Sequence, residues 1–95
     1  MLYKKIRFPF TNISVIRWKP LVSTPIHNHN SKNCNFLVIK GKLQESVYNK
    51  LKDGYYMINQ KTISENQSSH INDSIGFHNI KNLSDNYTWS IHYYK

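Results

Sequence analysis

Phe36-Leu37-Val38-Ile39-Lys40-Gly41-Lys42-Leu43-Gln44-Glu45-Ser46-Val47-Tyr48 is the stretch whose reading decides the fold class. Its apolar run is too short for a helix and is rich in aromatic and β-branched residues, so Phe36 to Ile39 reads as a buried strand. Gly41 reads as a turn, with Lys42 to Tyr48 as the hairpin partner. Outward toward the N-terminus, Ile13, Val15 and Trp18 sit in another β-rich stretch that ends at Lys19-Pro20, and a Pro/Ser/Thr loop runs to Pro25. Toward the C-terminus, Asn49 to Gly54 reads as a polar turn. Tyr55 to Ile58 then forms a short strand, and Lys61 to Glu65 is expected to pair beside it. Phe77 to Lys81, a turn at Asn82 to Asn86, and a last strand from Thr88 to Tyr94 complete the chain. No stretch has a 3.6-residue apolar period of helical length. Short strands separated by frequent turns imply an all-β sandwich or barrel.

Composition bounds the rest. Ninety-five residues make one domain, 1–95, and a hydrophobic fraction of 39% with 14% aromatic residues is enough for a small core. Membrane spans need roughly 18 consecutive apolar residues and secretory leaders an apolar h-region; both patterns are lacking, so the expectation is a soluble, intracellular, cytoplasmic protein. The single cysteine, Cys34, has no internal disulfide partner. Thirteen basic residues against five acidic give a net charge of +8, which raises the question of a polyanionic partner. The lysines are scattered singly or in pairs, without a zinc-finger spacing or an RNA-binding aromatic string, and read first as a solvated surface.

The histidines carry the chemistry. Strict alternation in the last strand puts Thr88, Ser90, His92 and Tyr94 on one face and Trp89, Ile91 and Tyr93 on the other. Periodicity does not say which of the two faces points inward. His27 and His29 are two residues apart, so in an extended segment both imidazoles project from one side, about 7 Å apart at the backbone. That spacing suits a single metal ion, and a third ligand from another strand, His78 or His92, would complete a facial set. His70 reads as an ordinary surface residue. No nucleophile elbow, cysteine-protease signature or phosphate-binding glycine loop is present.

Two blocks of sequence resemble a known family. Trp18-Lys19-Pro20, Thr24-Pro25-Ile26-His27-Asn28-His29, Cys34 and Gly41 to Tyr48 are similar to the first motif of the cysteine dioxygenase family within the cupins. His70 to Ile80, Asn82-Leu83-Ser84 and Ser90 to Tyr94 are similar to its second motif. The resemblance spans about 18–48 and 66–94, and it implies a small antiparallel cupin (jelly-roll) β-barrel.

By the same resemblance, His27, His29 and His78 are expected as iron ligands, with Cys34 where most cupins place a ligating glutamate. His92, Ser90 and Tyr94 are expected around them, and in some family members the cysteine and tyrosine are joined by a thioether. The implied activity is that of a non-haem Fe(II) thiol dioxygenase, converting cysteine or a related small thiol to its sulfinic acid with O2. Three neutral imidazoles leave Fe(II) two units positive, which favours an anionic thiolate. The family holds the substrate carboxylate with an arginine in a Tyr-x-Arg motif. The matching positions here are Tyr3-Lys4-Lys5, giving Lys5 that role, or Arg7 if the register slips. Lysine offers a point charge where arginine offers a bidentate fork. An exposed sheet edge also invites a homo-oligomer. The alternatives are a cupin that has lost turnover and uses its basic surface on nucleic acid or another polyanion, and a cupin using zinc or nickel.

Overall fold

The computed structural model describes residues 3–27, 33–71 and 77–94. The described chain is all strand: β1 (Tyr3–Arg7), β2 (Ile13–Trp18), β3 (Cys34–Lys40), β4 (Lys42–Leu51), β5 (Gly54–Ser64), β6 (Ser68–Ile71), β7 (Phe77–Asn82) and β8 (Thr88–Tyr94). These form two antiparallel sheets, one of five strands in the order β1-β2-β8-β3-β6 and one of three in the order β5-β4-β7. No helix among the described residues is long and apolar enough to cross a membrane.

Burial follows the two-residue period of the strands. Ser14, Ile16 and Trp18 of β2, Cys34, Phe36 and Val38 of β3, and Thr88, Ser90 and His92 of β8 are buried, while their sequence neighbours are less so. The last strand therefore turns its polar face inward, which settles what periodicity left open, and Trp89, Ile91 and Tyr93 face out at 37–42% exposure. Apolar side chains from both sheets (Ile16, Trp18, Phe36 and Val38 against Leu43, Ile63 and Ile80) meet in one core at one end of the space between the sheets. Each contributes roughly 1.5–3 kcal/mol by leaving water. At the other end of that space the inward positions are Cys34, Val47, His78, His92 and Tyr94, so the polar site stands on an apolar floor.

Two expectations are corrected. The β3–β4 hairpin at Gly41 does not form: β3 pairs with β6 and β8, whereas β4 pairs with β5 and β7. Gly41 is instead the corner where the chain leaves one sheet for the other, at φ +92° and packed so closely on Thr88 that a Cβ would collide with it. The separate strands expected at Tyr55–Ile58 and Lys61–Glu65 are one continuous β5. A register shift opposite Val47/Tyr48 takes up the extra residue.

The far end of the sandwich is closed by Asn82, which has no exposed surface. Its amide nitrogen lies within 3.0–3.3 Å of the carbonyls of Trp18, Lys19 and Asn86, and its oxygen accepts from Ser84 N and Thr88 Oγ1. On the outer face of the five-stranded sheet, Ile6, Val15, Ile91 and Leu37 stand in register across four neighbouring strands.

Candidate functional site

Between the sheets lies a cavity of about 200 Å³, with His27 and His78 on one wall and Cys34, His92, Tyr94 and Lys5 on the other. The first wall is made where the segment before residue 28 lies against β7. His27 and His78 exchange both backbone hydrogen bonds, at 2.9 and 2.8 Å, so they are directly opposed and project from one face. Their rings meet with Nε2 to Nε2 at 3.1 Å.

The proton inventory of this pair is informative. His27 Nδ1 lies 2.9 Å from the Pro25 carbonyl and His78 Nδ1 lies 3.0 Å from Glu45 Oε2. A carbonyl and a carboxylate only accept, so both Nδ1 atoms donate, and the two Nε2 atoms are left facing each other, a contact that a proton or a cation between them satisfies. Metal-ligating histidines are held in this way, with the far nitrogen tied to a carbonyl or carboxylate. Burial, with the neighbouring His78, holds His27 below the ordinary imidazole range despite the Pro25 carbonyl, which favours the neutral ring. Among the described residues no group of three His, Cys, Asp or Glu side chains converges as a metal site. His29, expected as the third imidazole, lies outside the described residues. The donor set present, two imidazole nitrogens 3.1 Å apart at the cavity, fits a divalent transition metal.

Glu45 was not singled out by the sequence, where a strand glutamate looks like a surface residue. It is 1% exposed and accepts from His78 Nδ1 and, at 2.6 Å, from Ser69 Oγ, with Lys61 Nζ 3.7 Å away. Burial pushes its carboxyl up, but the bonds from His78 and Ser69 outweigh that and hold it below the usual carboxylate range.

The second wall is a relay across β2, β8 and β3. Trp18 Nε1 donates to Ser90 Oγ at 2.9 Å, and Ser90 Oγ lies 2.7 Å from His92 Nε2. An indole only donates, so Ser90 Oγ accepts from it, and the same hydroxyl ties down His92 Nε2. The other ring nitrogen of His92, Nδ1, faces Cys34 Sγ at 3.9 Å. His92 thus stands across the cavity from the His27–His78 pair, bonded within its own wall. Phe36 stacks on its ring, with centroids 5.1 Å apart, and fixes the ring plane.

Cys34 and Tyr94 are direct partners between β3 and β8, and their side chains are hydrogen-bonded. Burial, with the negative charge of Glu45, pushes the Cys34 thiol up to about 11, so it is protonated at neutral pH. Burial and the adjacent Cys34 push the Tyr94 hydroxyl up as well. Lys5, on the inward face of β1, reaches over the Tyr94 ring and places Nζ 3.3 Å from its hydroxyl. Tyr3 packs on Trp18, with ring centroids 5.0 Å apart, and lines the same cavity. Arg7 does not join the site; its Nε donates to the Thr11 carbonyl in the β1–β2 turn.

A family model described as cysteine dioxygenase type I matches residues 10–95. The chain belongs to the cysteine dioxygenase type I family. Cysteine dioxygenase type 1 of Danio rerio is 31% identical over 77 residues, and that of Rattus norvegicus is 30% identical over 76 residues. Each alignment covers 77% of this chain and 38% of the relative, so the chain matches well under half the length of these cysteine dioxygenases. Among solved structures, an oxalate oxidase superposes with a TM-score of 0.70 at 17% identity over 86% of this chain and 40% of its own. The Drosophila melanogaster CENP-C cupin domain superposes with a TM-score of 0.72 at 10% identity over 98% of this chain and 75% of its own. At such identities the likeness is one of fold, and it makes the two-sheet architecture a cupin.

Proposed function

We propose that the chain carries the active centre of a thiol dioxygenase, an iron-dependent oxidoreductase that converts a small thiol and O2 to the sulfinic acid. The observation that carries this reading is the meeting of Nε2 of His27 with Nε2 of His78 at the edge of a cavity whose opposite wall holds Cys34, Tyr94 and Lys5. His27 and His78, with His29 as the third imidazole, would hold Fe(II). When bound there, iron supplies a redox-active Lewis acid on which an anionic thiol can be brought together with dioxygen.

The surrounding side chains do the binding and orienting. Lys5 offers its ammonium to the carboxylate of the thiol substrate, and the Tyr94 hydroxyl beneath it donates to the reacting sulfur or oxygen. The Trp18–Ser90–His92 relay fixes the imidazole that flanks Cys34 and Tyr94, so both are held without a mobile partner. Cys34 and Tyr94 are cross-strand partners, which supports a thioether between them; forming it breaks the thiol S–H and a ring C–H, and O2 as oxidant would leave as hydrogen peroxide. Intact-mass measurement after turnover reads it as a loss of two hydrogens.

The reading is tested by oxygen consumption with protein reconstituted anaerobically with Fe(II), against cysteine, cysteamine and 3-mercaptopropionate, with sulfinate detected by mass spectrometry. Sulfinate formed in proportion to the oxygen consumed is the expected result. Iron bound at one per chain with no thiol oxidised would sink it.

A further inference from the structure

Glu45 is the one buried acid among the described residues, and its position follows from strand register. In the β4–β7 pair Val47 is opposite His78 and Glu45 is opposite Ile80, so Glu45 is the diagonal neighbour of His78, within reach of a long side chain. Its second oxygen crosses to Ser69 on β6, in the other sheet. Burying a carboxylate is costly unless donors surround it. Here His78 Nδ1 and Ser69 Oγ donate to it and Lys61 Nζ adds an ion pair at 3.7 Å, the three drawn from β7, β6 and β5. Four strands thus converge behind a single imidazole, on the side away from the cavity.

We propose that Glu45 is the positioning residue of the metal centre: it holds His78 in the Nδ1–H tautomer with Nε2 aimed at Nε2 of His27, and it returns to an all-imidazole site a negative charge one hydrogen bond behind the ligand. The proposal rests on the metal site of the reading above and is independent of its thiol chemistry. A carboxylate hydrogen-bonded to a ligating imidazole raises the basicity of that ligand and fixes its ring, and losing such a partner typically lowers metal affinity about 10–100-fold. Ser69 and Lys61 act through Glu45 by keeping its carboxylate in place.

The test is anaerobic titration with Co(II), read by its visible absorption, on the wild-type chain, Glu45→Gln and Glu45→Ala, together with imidazole nitrogen NMR of the metal-free proteins. Glu45→Gln keeps the shape and an acceptor oxygen but loses the charge, and it should bind Co(II) about tenfold more weakly. Glu45→Ala should approach 100-fold. The metal-free wild type should show His78 as a single Nδ1–H tautomer, and Glu45→Ala a mixture of the two. A merely structural glutamate would lower the melting temperature of the variants and leave Co(II) affinity and the tautomer unchanged, which overturns the proposal. Should Glu45→Ala fail to fold, the isosteric Gln variant decides the matter alone. If the wild type itself takes up no Co(II), the metal-site reading falls and this proposal falls with it. Equal binding by wild type and Glu45→Gln removes only the role of Glu45.

Discussion

His78 and His92 line the same cavity at nearly the same burial, 2% and 5% exposed, yet they face it with opposite chemistry. A carboxylate holds His78 at Nδ1, so Nε2 is the nitrogen the ring turns to His27 at the cavity. A serine hydroxyl holds His92 at Nε2, and Nδ1 of that ring is turned to Cys34 within its own wall. The groups behind the rings therefore decide what each histidine can do. The wall on β7 presents imidazole nitrogens suited to a cation, and the opposite wall presents the Lys5 ammonium and the Tyr94 hydroxyl, donors suited to electron-rich sulfur and oxygen.

The comparison can be broken in order of expected effect. His78→Ala should abolish stoichiometric Fe(II) binding, while His92→Ala should keep it; anaerobic titration of both reads the difference, and retained iron in the first would merge the two walls. Tyr94→Phe should leave iron uptake intact and cut sulfinate formation on the order of 100-fold, as loss of an oriented donor does. Full activity would remove the hydroxyl from the proton-donating wall. Lys5→Ala should raise the apparent KM about tenfold for cysteine and 3-mercaptopropionate and spare cysteamine, which has no carboxylate. Equal effects on all three thiols would take Lys5 out of substrate binding.

The smallest expected effect sharpens the chemistry of the second wall. The Cys34 thiol is raised from 9.0 to about 11 in the folded chain, so the folded state holds its proton where the unfolded state has lost it. The stability this gives is fully present below pH 9 and is lost as pH rises toward 11. Denaturant titrations at pH 8 and pH 10.5 should therefore show wild type losing more stability than Cys34→Ala, by on the order of 1 kcal/mol. Parallel losses would mean that the thiol is not desolvated.

Much of this was legible in the sequence, and the illegible parts share a cause. The strand from Thr88 to Tyr94 was readable residue by residue, because alternation is a local property and each position has one face. The choice of inward face was not, because it depends on what the other strands supply, and here they supply Trp18 and Cys34 as polar partners. Lys40-Gly41-Lys42 carries every local sign of a hairpin turn. The chain turns a corner there instead, because Thr88, far along the sequence, occupies the space beside the glycine. Glu45 was missed for the same reason: its partners lie 24 and 33 residues away on β6 and β7, and no local pattern marks a glutamate that long-range pairing will bury. His27 and His78 were singled out by spacing and motif resemblance, whereas their direct pairing appears only once both sheets are assembled.

The outward row of Ile6, Val15, Ile91 and Leu37 bears on how the chain behaves in solution. Ile6, Leu37 and Ile91 are 37–51% exposed, on a sheet face that small proteins usually keep polar. The net charge of +8 holds such faces apart by mutual repulsion. Added salt works against that balance, since the screening length falls from about 10 Å at 0.1 M to about 3 Å at 1 M and the apolar rows are then free to stick. Solubility measured against ionic strength should therefore fall as salt is raised from about 0.1 M to about 1 M.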